Sequence, residues 1–192
     1  LSNQDEFDIN LILMPGIISA QHTAVAQKAI DVTEERGDCF LILDPVVYGS
    51  ALGTATTQAE TRDSNYAAMY WPWVQVPDLQ LGGNVWVPPS VVMAGVIAFT
   101  DKVSHEWFAP AGLLRGGLSD VIEAETRLTH AERDDLYEGR VNPIASFPGQ
   151  GVVVYGQKTL QSKPSALDRI NVRRLLIALR KFIASTSRYL VF

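Results

Sequence analysis

Two short runs, Ile9-Asn-Leu-Ile-Leu-Met14 and Phe40-Leu-Ile-Leu43, decide how this chain folds. Both have strand length, and each is followed by a turn signal: Pro15-Gly16 after the first, Asp44-Pro45 after the second. Between them, Ser19 opens a helical stretch to about Arg36, with Val25, Ala29, Ile30 and Val32 at helix-like spacing. Gly37-Asp38 stops it. Continuous apolar strands on either side of a helix predict a parallel sheet covered on both faces. The expected architecture is therefore α/β, with a mixed, largely buried sheet.

Working outward, the Gly-, Ala-, Ser- and Thr-rich residues 48–61 predict a mobile loop, and residues 64–70 a short helix. Trp71-Pro-Trp-Val-Gln-Val76 reads as a strand. Gly82-Gly83 and Pro88-Pro89 bracket an extended piece over Asn84–Val87, and residues 90–100 have helical length and apolar content. Thr129-His-Ala-Glu132 is a capping box that opens a helix to about Gly139, with Asn142-Pro143 ending that region. Ser165-Ala-Leu-Asp168 opens the last and longest helix in the same way. No internal repeat divides the 192 residues, which fit one domain.

One stretch, Gly151-Val-Val-Val-Tyr-Gly-Gln-Lys-Thr159, imitates a phosphate-binding loop. Such a loop needs lysine directly after the second glycine and a flexible turn between the two. Here Gln157 intervenes, and Val152 to Tyr155 are four strand formers whose N–H groups point to alternate sides. The stretch is a central strand closed by a glycine turn. A dinucleotide fold is the other imitation, with Gly16 in the first turn and Asp44 where an acid would grip a ribose. Its triple-glycine fingerprint is missing. A nucleotide-binding α/β enzyme using those two residues is the rival reading.

Nothing else assembles chemistry. His22, His105 and His130 are far apart, with no ligand-spaced cysteine, and Gly49-Ser-Ala-Leu-Gly53 has alanine where a nucleophilic serine would stand. The adjacent pairs Glu34-Glu35 and Asp134-Asp135 splay apart on a helix. Cys39 sits in an apolar run as a small buried hydrophobe, so no disulfide framework exists. No apolar run reaches the roughly 18 residues of a membrane span. A start at Leu1 reads as a fragment or a processed product.

Charge is distributed unevenly beneath a net −5. Residues 1–60 carry nine acids against two bases, and residues 161–192 seven bases against one acid. Such asymmetry suits a molecule that meets copies of itself or an acidic partner. On the last helix, Val172, Leu175, Leu176, Leu179, Phe182 and Ile183 fall within an arc of roughly 120°. That arc is expected to face the core, leaving Arg169, Arg173, Arg174, Arg180 and Lys181 as an outward cationic stripe. The chain is acidic overall and no aromatic is interleaved on the stripe, so a protein surface fits it better than nucleic acid.

Taken in order, several pieces resemble the tail sheath proteins of contractile bacteriophages. They are Asn84-Val-Trp-Val-Pro-Pro-Ser, Ala94-Gly-Val, Thr100-Asp, Trp107-Phe-Ala-Pro-Ala-Gly112 and Arg115-Gly116. Leu136-Tyr137, Asn142-Pro143, Tyr155-Gly-Gln-Lys-Thr159 and above all Asp168-Arg-Ile-Asn-Val-Arg-Arg-Leu175 continue the likeness. The match spans about 70 to 192, and the strand end at Pro15-Gly16 fits upstream.

The resemblance implies a structural subunit with no catalytic activity and no cofactor. It implies stacking in six-fold rings around a tail tube, with baseplate and tail terminator proteins as further partners. Contraction of that cylinder would drive the tube through the host envelope for genome ejection. It also implies assembly in the host cytoplasm and residence in the virion. Family members add terminal arms to neighbours' sheets as extra strands, and this chain is expected to be a core domain lacking both arms. A phage-tail-like bacteriocin or a type VI-like contractile system is the related alternative.

Overall fold

The computed structural model of the chain describes residues 3–4 and 6–190. Strand β1 (Leu11–Ile18) leads through helix α1 (Thr23–Arg36) to β2 (Phe40–Asp44), and helix α2 (Leu52–Glu60) leads to β3 (Ala67–Trp71). Three short strands follow: β4 (Val74–Pro77), β5 (Asn84–Val87) and, after helix α3 (Pro89–Val103), β6 (Glu123–Ala124). Helix α4 (His130–Glu138), β7 (Val141–Phe147), β8 (Gly151–Val154) and helix α5 (Ile170–Ser187) complete the chain.

The main sheet has the order β1-β2-β3-β7-β8, parallel through β7, with β8 antiparallel. A smaller antiparallel sheet has the order β5-β4-β6. Successive residues of a strand point to opposite faces, and both faces of β2 are buried. Phe40 and Ile42 join Met93, Ile97, Ile170 and Ile177 on the side of α3 and α5. Leu41 and Leu43 join Ala26, Ile30, Ala55, Ala59 and Leu136 on the side of α1, α2 and α4. The expected doubly covered mixed sheet is what forms.

Local departures from the sequence reading have identifiable causes. Pro15-Gly16 does not end β1 but lies inside it as a bulge. Between the pairs Leu13↔Ile42 and Ile18↔Asp44, β1 advances five residues while β2 advances two, and Gly16 takes φ +85°. An edge strand accepts that interruption, and proline there forfeits no needed ladder bond. Ser19 does not cap α1, because the chain still follows the end of β2: Ser19 N–H donates to Asp44 O at 2.8 Å and Ala20 N–H to Pro45 O at 3.1 Å. The helix therefore starts four residues later and ends, as expected, at Gly37 with φ +65°.

Residues 48–61 are not a loop throughout but contain α2, whose buried Ala55 and Ala59 lie one turn apart. Residues 64–70 are not helical: they contain most of β3, buried on both faces at the sheet centre. Trp71 ends β3, and the next strand starts only at Val74. Asn142-Pro143 sits within β7, with Asn142 Nδ2 donating to Met69 O and to Lys158 O. β8 is the outermost of the five strands rather than a central one. Residues 112–118 pair along its outer edge, with Gly112 N–H donating to Val154 O at 2.8 Å and Leu118 N–H to Val152 O at 2.9 Å. The capping box of α4 forms as expected. Ser165 caps only a 3-10 turn, Ala166–Asp168, and α5 begins afresh after an extended Arg169.

Candidate assembly surface

Helix α5 runs across the ends of the parallel strands. Arg173 stacks on the ring of Tyr66 at 4.0 Å and donates to Asn65 Oδ1, just before β3. Arg180 lies over Gly37, just before β2, where any Cβ would collide with its guanidinium. Lys181 reaches the residues before β1, donating to Asp8 Oδ1 at 2.6 Å, Ile9 O at 2.9 Å and Asn10 Oδ1. The helix thus straps the N-terminal edges of β3, β2 and β1 in turn.

That position inverts the expected polarity. Strand N-termini are fed by polar turns, so the inner face of α5 must satisfy carbonyl and carboxylate oxygens as well as apolar side chains. Arg173 and Arg174 are 7% and 6% exposed, beside the buried Ile170 and Ile177. Arg174 makes a bidentate pair with Asp101 of α3, at 2.8 and 2.6 Å, and donates to Glu106 O. Lys181 holds the Asp8 carboxyl below its ordinary range by hydrogen bond and charge. Arg169 pairs with Asp168 and donates to Tyr137 OH. Of the five cations, four are engaged by acids, amides or rings of the same chain, and Arg180 remains on the exposed flank.

Arg173 and Arg174 therefore do not belong to an outward stripe, and an apolar set is exposed along the same helix instead. Leu176, Leu179, Phe182 and Ile183 are 41%, 44%, 66% and 62% exposed. These belong to the arc that helical spacing assigns to the core. Sequence reasoning found the arc but had no means of knowing what the helix lies on.

Neither imitation of a nucleotide site survives. Asp44 is completely buried and accepts from the Ser90 N–H at 3.0 Å and the Ser90 hydroxyl at 2.6 Å, which ties the start of α3 to the end of β2. Burial pushes its carboxyl up to about 6, against the pull of those hydrogen bonds. Lys158 lies 4.5 Å over the Tyr137 ring, and burial, with Arg169 nearby, lowers its pKa. Thr159 donates its hydroxyl to Leu167 O. A shallow cleft of about 230 Å³ between α4 and the β7–β8 pair is lined by His130, Arg133, Asp134, Tyr137, Pro143 and Tyr155. Within it His130 pairs with Asp134 at 2.9 Å, both largely exposed to solvent. Among the described residues no His, Cys, Asp or Glu cluster could hold a metal, and no helix is long and apolar enough to cross a membrane.

These features define the class: an α/β module whose most unusual property is on its surface. Residues 1–160 match the family model of the phage tail sheath protein central domain. The chain belongs to that family of structural sheath proteins. It is 42% identical over 141 residues to the tail sheath protein of Vibrio phage KVP40, covering 73% of this chain and 20% of that protein. It is 34% identical over 187 residues to the tail sheath protein of Enterobacteria phage T4, covering 88% and 28%. The chain spans from a fifth to under a third of the length of the curated relatives it matches.

Solved structures agree. A chain of the six-fold symmetrised anti-feeding prophage baseplate superposes with a TM-score of 0.75 at 30% identity, covering 98% of this chain and 48% of that one. The sheath complex of the extracellular contractile injection system PVC, in its contracted state, superposes with a TM-score of 0.78 at 26% identity, covering 97% and 49%.

Proposed function

We propose that this chain is a structural module of a contractile phage tail sheath, polymerising in six-fold rings around a tail tube. The sheath shortens to drive the tube through the host envelope for genome ejection. The module binds no cofactor and turns over no substrate. Work is done by repacking of rigid bodies between two assemblies, with energy stored in the extended one. The observation that carries this reading, beside the family match, is the polarity of α5. A helix that buries Arg173 and Arg174 and presents Leu176, Leu179, Phe182 and Ile183 to solvent has an outer face built to be covered.

Its partners on this reading are further copies of itself, the tube, and the baseplate and tail terminator proteins, with no nucleic acid. It is assembled in the host cytoplasm and carried in the virion. Arg180, and Arg169 where it is exposed, are the cations left for an acidic surface on the tube or a neighbour, each such contact contributing about 0.2–1 kcal/mol. A sheath of a bacteriocin or an injection system is the second reading, favoured by the injection-system neighbours. The higher identity to phage KVP40 supports the phage. Electron microscopy of the polypeptide carrying these residues tests the proposal. Hollow tubes of stacked rings are expected, and protein that never orders into tubes would remove it.

A further inference from the structure

The small sheet has two unlike faces. Its register puts Val74, Val87 and Ala124 on one side, where they join the core on the side of α3. Gln75, Trp86 and Glu123 therefore point to the other side. The pairing of β4 with β6 runs on past the strand ends: Glu125 N–H donates to Trp73 O at 2.9 Å, which sets Glu125 beside Trp73. Tyr48, from the turn after β2, lies against both tryptophans. Its ring centroid is 5.1 Å from that of Trp86, at an interplanar angle of 37°, and 6.1 Å from that of Trp73, at 71°.

Hydrogen bonds hold this cluster from two directions. Trp73 donates its indole N–H to Val46 O at 3.0 Å, and Gly49 N–H donates to Glu125 Oε1 at 2.5 Å. The other carboxylate oxygen, Oε2, is shielded from solvent and accepts from no donor, and Glu125 forms no ion pair among the described residues. A shielded acceptor without a donor calls for a ligand, and a negative one calls for a cation. The rings ask for the same charge, since the faces of indole and phenol are electron-rich and Trp is the strongest of them. Elsewhere the chain lays its own cations on such faces, those of Phe108, Phe147, Tyr155, Tyr137 and Tyr66. Among the described residues no cation lies over Tyr48, Trp73 or Trp86.

We propose that Tyr48, Trp73, Trp86 and Glu125 form a binding site for an organic cation, a guanidinium or ammonium group. The cation rests on the ring faces while the Glu125 carboxylate balances its charge. A guanidinium suits the site best, because it is planar, stacks on aromatic rings and is weakly hydrated. A bare metal ion does not suit it, because one shielded carboxylate offers too few oxygens. The rings are fixed in advance, so little freedom is lost on binding. This site is separate from the outer face of α5, and its failure would leave the sheath reading in place.

Titration followed by the tryptophan indole N–H resonances of the isotope-labelled chain tests it. The probes are an end-blocked glycine–arginine–glycine peptide, its citrulline counterpart and choline. The arginine peptide is expected to move the Trp73 and Trp86 signals saturably and to leave those of Trp71 and Trp107 in place. The citrulline peptide has the same shape without the charge and is expected to move none. Glu125→Gln keeps an acceptor for Gly49 N–H, removes the charge and is expected to weaken binding about tenfold or more. Trp86→Leu removes one ring face and is expected to weaken it about fivefold. The rest of the spectrum reports whether each variant is folded. Tighter binding of the arginine peptide than of choline assigns the cation to a protein side chain, and the reverse assigns it to a free quaternary ammonium; either supports the site. Tryptophan signals that no cation moves, equal shifts with the citrulline peptide, or full affinity in folded Glu125→Gln protein would overturn it.

Discussion

Arg174 on α5 and Asp101 on α3 form a two-pronged ion pair, Nη1 to Oδ1 at 2.8 Å and Nη2 to Oδ2 at 2.6 Å. It ties α5 to α3, the helix that covers one face of the main sheet. The guanidinium side is nearly buried, at 7% side-chain exposure, and the carboxylate side is 30% exposed. The asymmetry decides which partner is dangerous to remove. Asp101→Ala strands a desolvated cation and is expected to destabilise the fold by about 1.5–3 kcal/mol. Arg174→Met leaves a solvated carboxylate and is expected to cost less. Urea denaturation of both variants checks the order.

Asp44 gives the fold a pH dependence of known sign. Its folded-state pKa is about 6, above the ordinary 3.8, so the folded chain holds the proton more tightly than the unfolded one. Its stabilising contribution is fully present below about pH 3.8 and is lost as pH rises through about 6. The amount is on the order of 3 kcal/mol. Asp44→Asn is expected to flatten stability between those pH values, measured as urea midpoints across the range. Ser90→Ala removes a hydroxyl donor to the carboxylate and is expected to lower stability by about 1–2 kcal/mol at neutral pH.

Gly116 is a point of close approach. A Cβ there would stand 2.6 Å from Val154 O and 2.8 Å from Gly112 N, both backbone atoms that cannot swing aside. Gly116→Ala is expected to pry residues 112–118 from the edge of β8, at a cost of about 1–3 kcal/mol. Amide exchange at Val154, which donates to Gly116 O, should accelerate with it.

Thr129 and Glu132 cap α4 reciprocally, Glu132 N–H donating to Thr129 Oγ1 and Thr129 N–H to Glu132 Oε2. Thr129→Ala is expected to lower stability by about 1 kcal/mol, read as a drop in melting temperature.

That capping box was legible in the sequence because both of its halves are local. So was β2, whose unbroken Phe40-Leu-Ile-Leu43 run can only be buried on both sides. β3 was not legible: Ala67-Ala-Met-Tyr-Trp71 contains no β-branched residue and two of the best helix formers. Its small residues suit a central strand, where Ala68 packs in the core on the side of α3 and Ala67 in the core on the side of α2. α2 hid for a related reason, since a Thr- and Gly-rich stretch becomes helical here through the burial of Ala55 and Ala59. The existence of α5 and its apolar arc were plain from spacing. The direction of that arc was not, because it depends on Asn65, Gly37 and Asp8, residues from three distant turns that the helix happens to cross.

The central claim is that this chain is a module of a self-assembling sheath whose apolar α5 face is covered in the assembly. Cryo-electron microscopy of tubes assembled from the polypeptide carrying it tests that most directly. The account predicts protein in van der Waals contact with Leu176, Leu179, Phe182 and Ile183. Ordered tubes in which those four side chains face open solvent would contradict it.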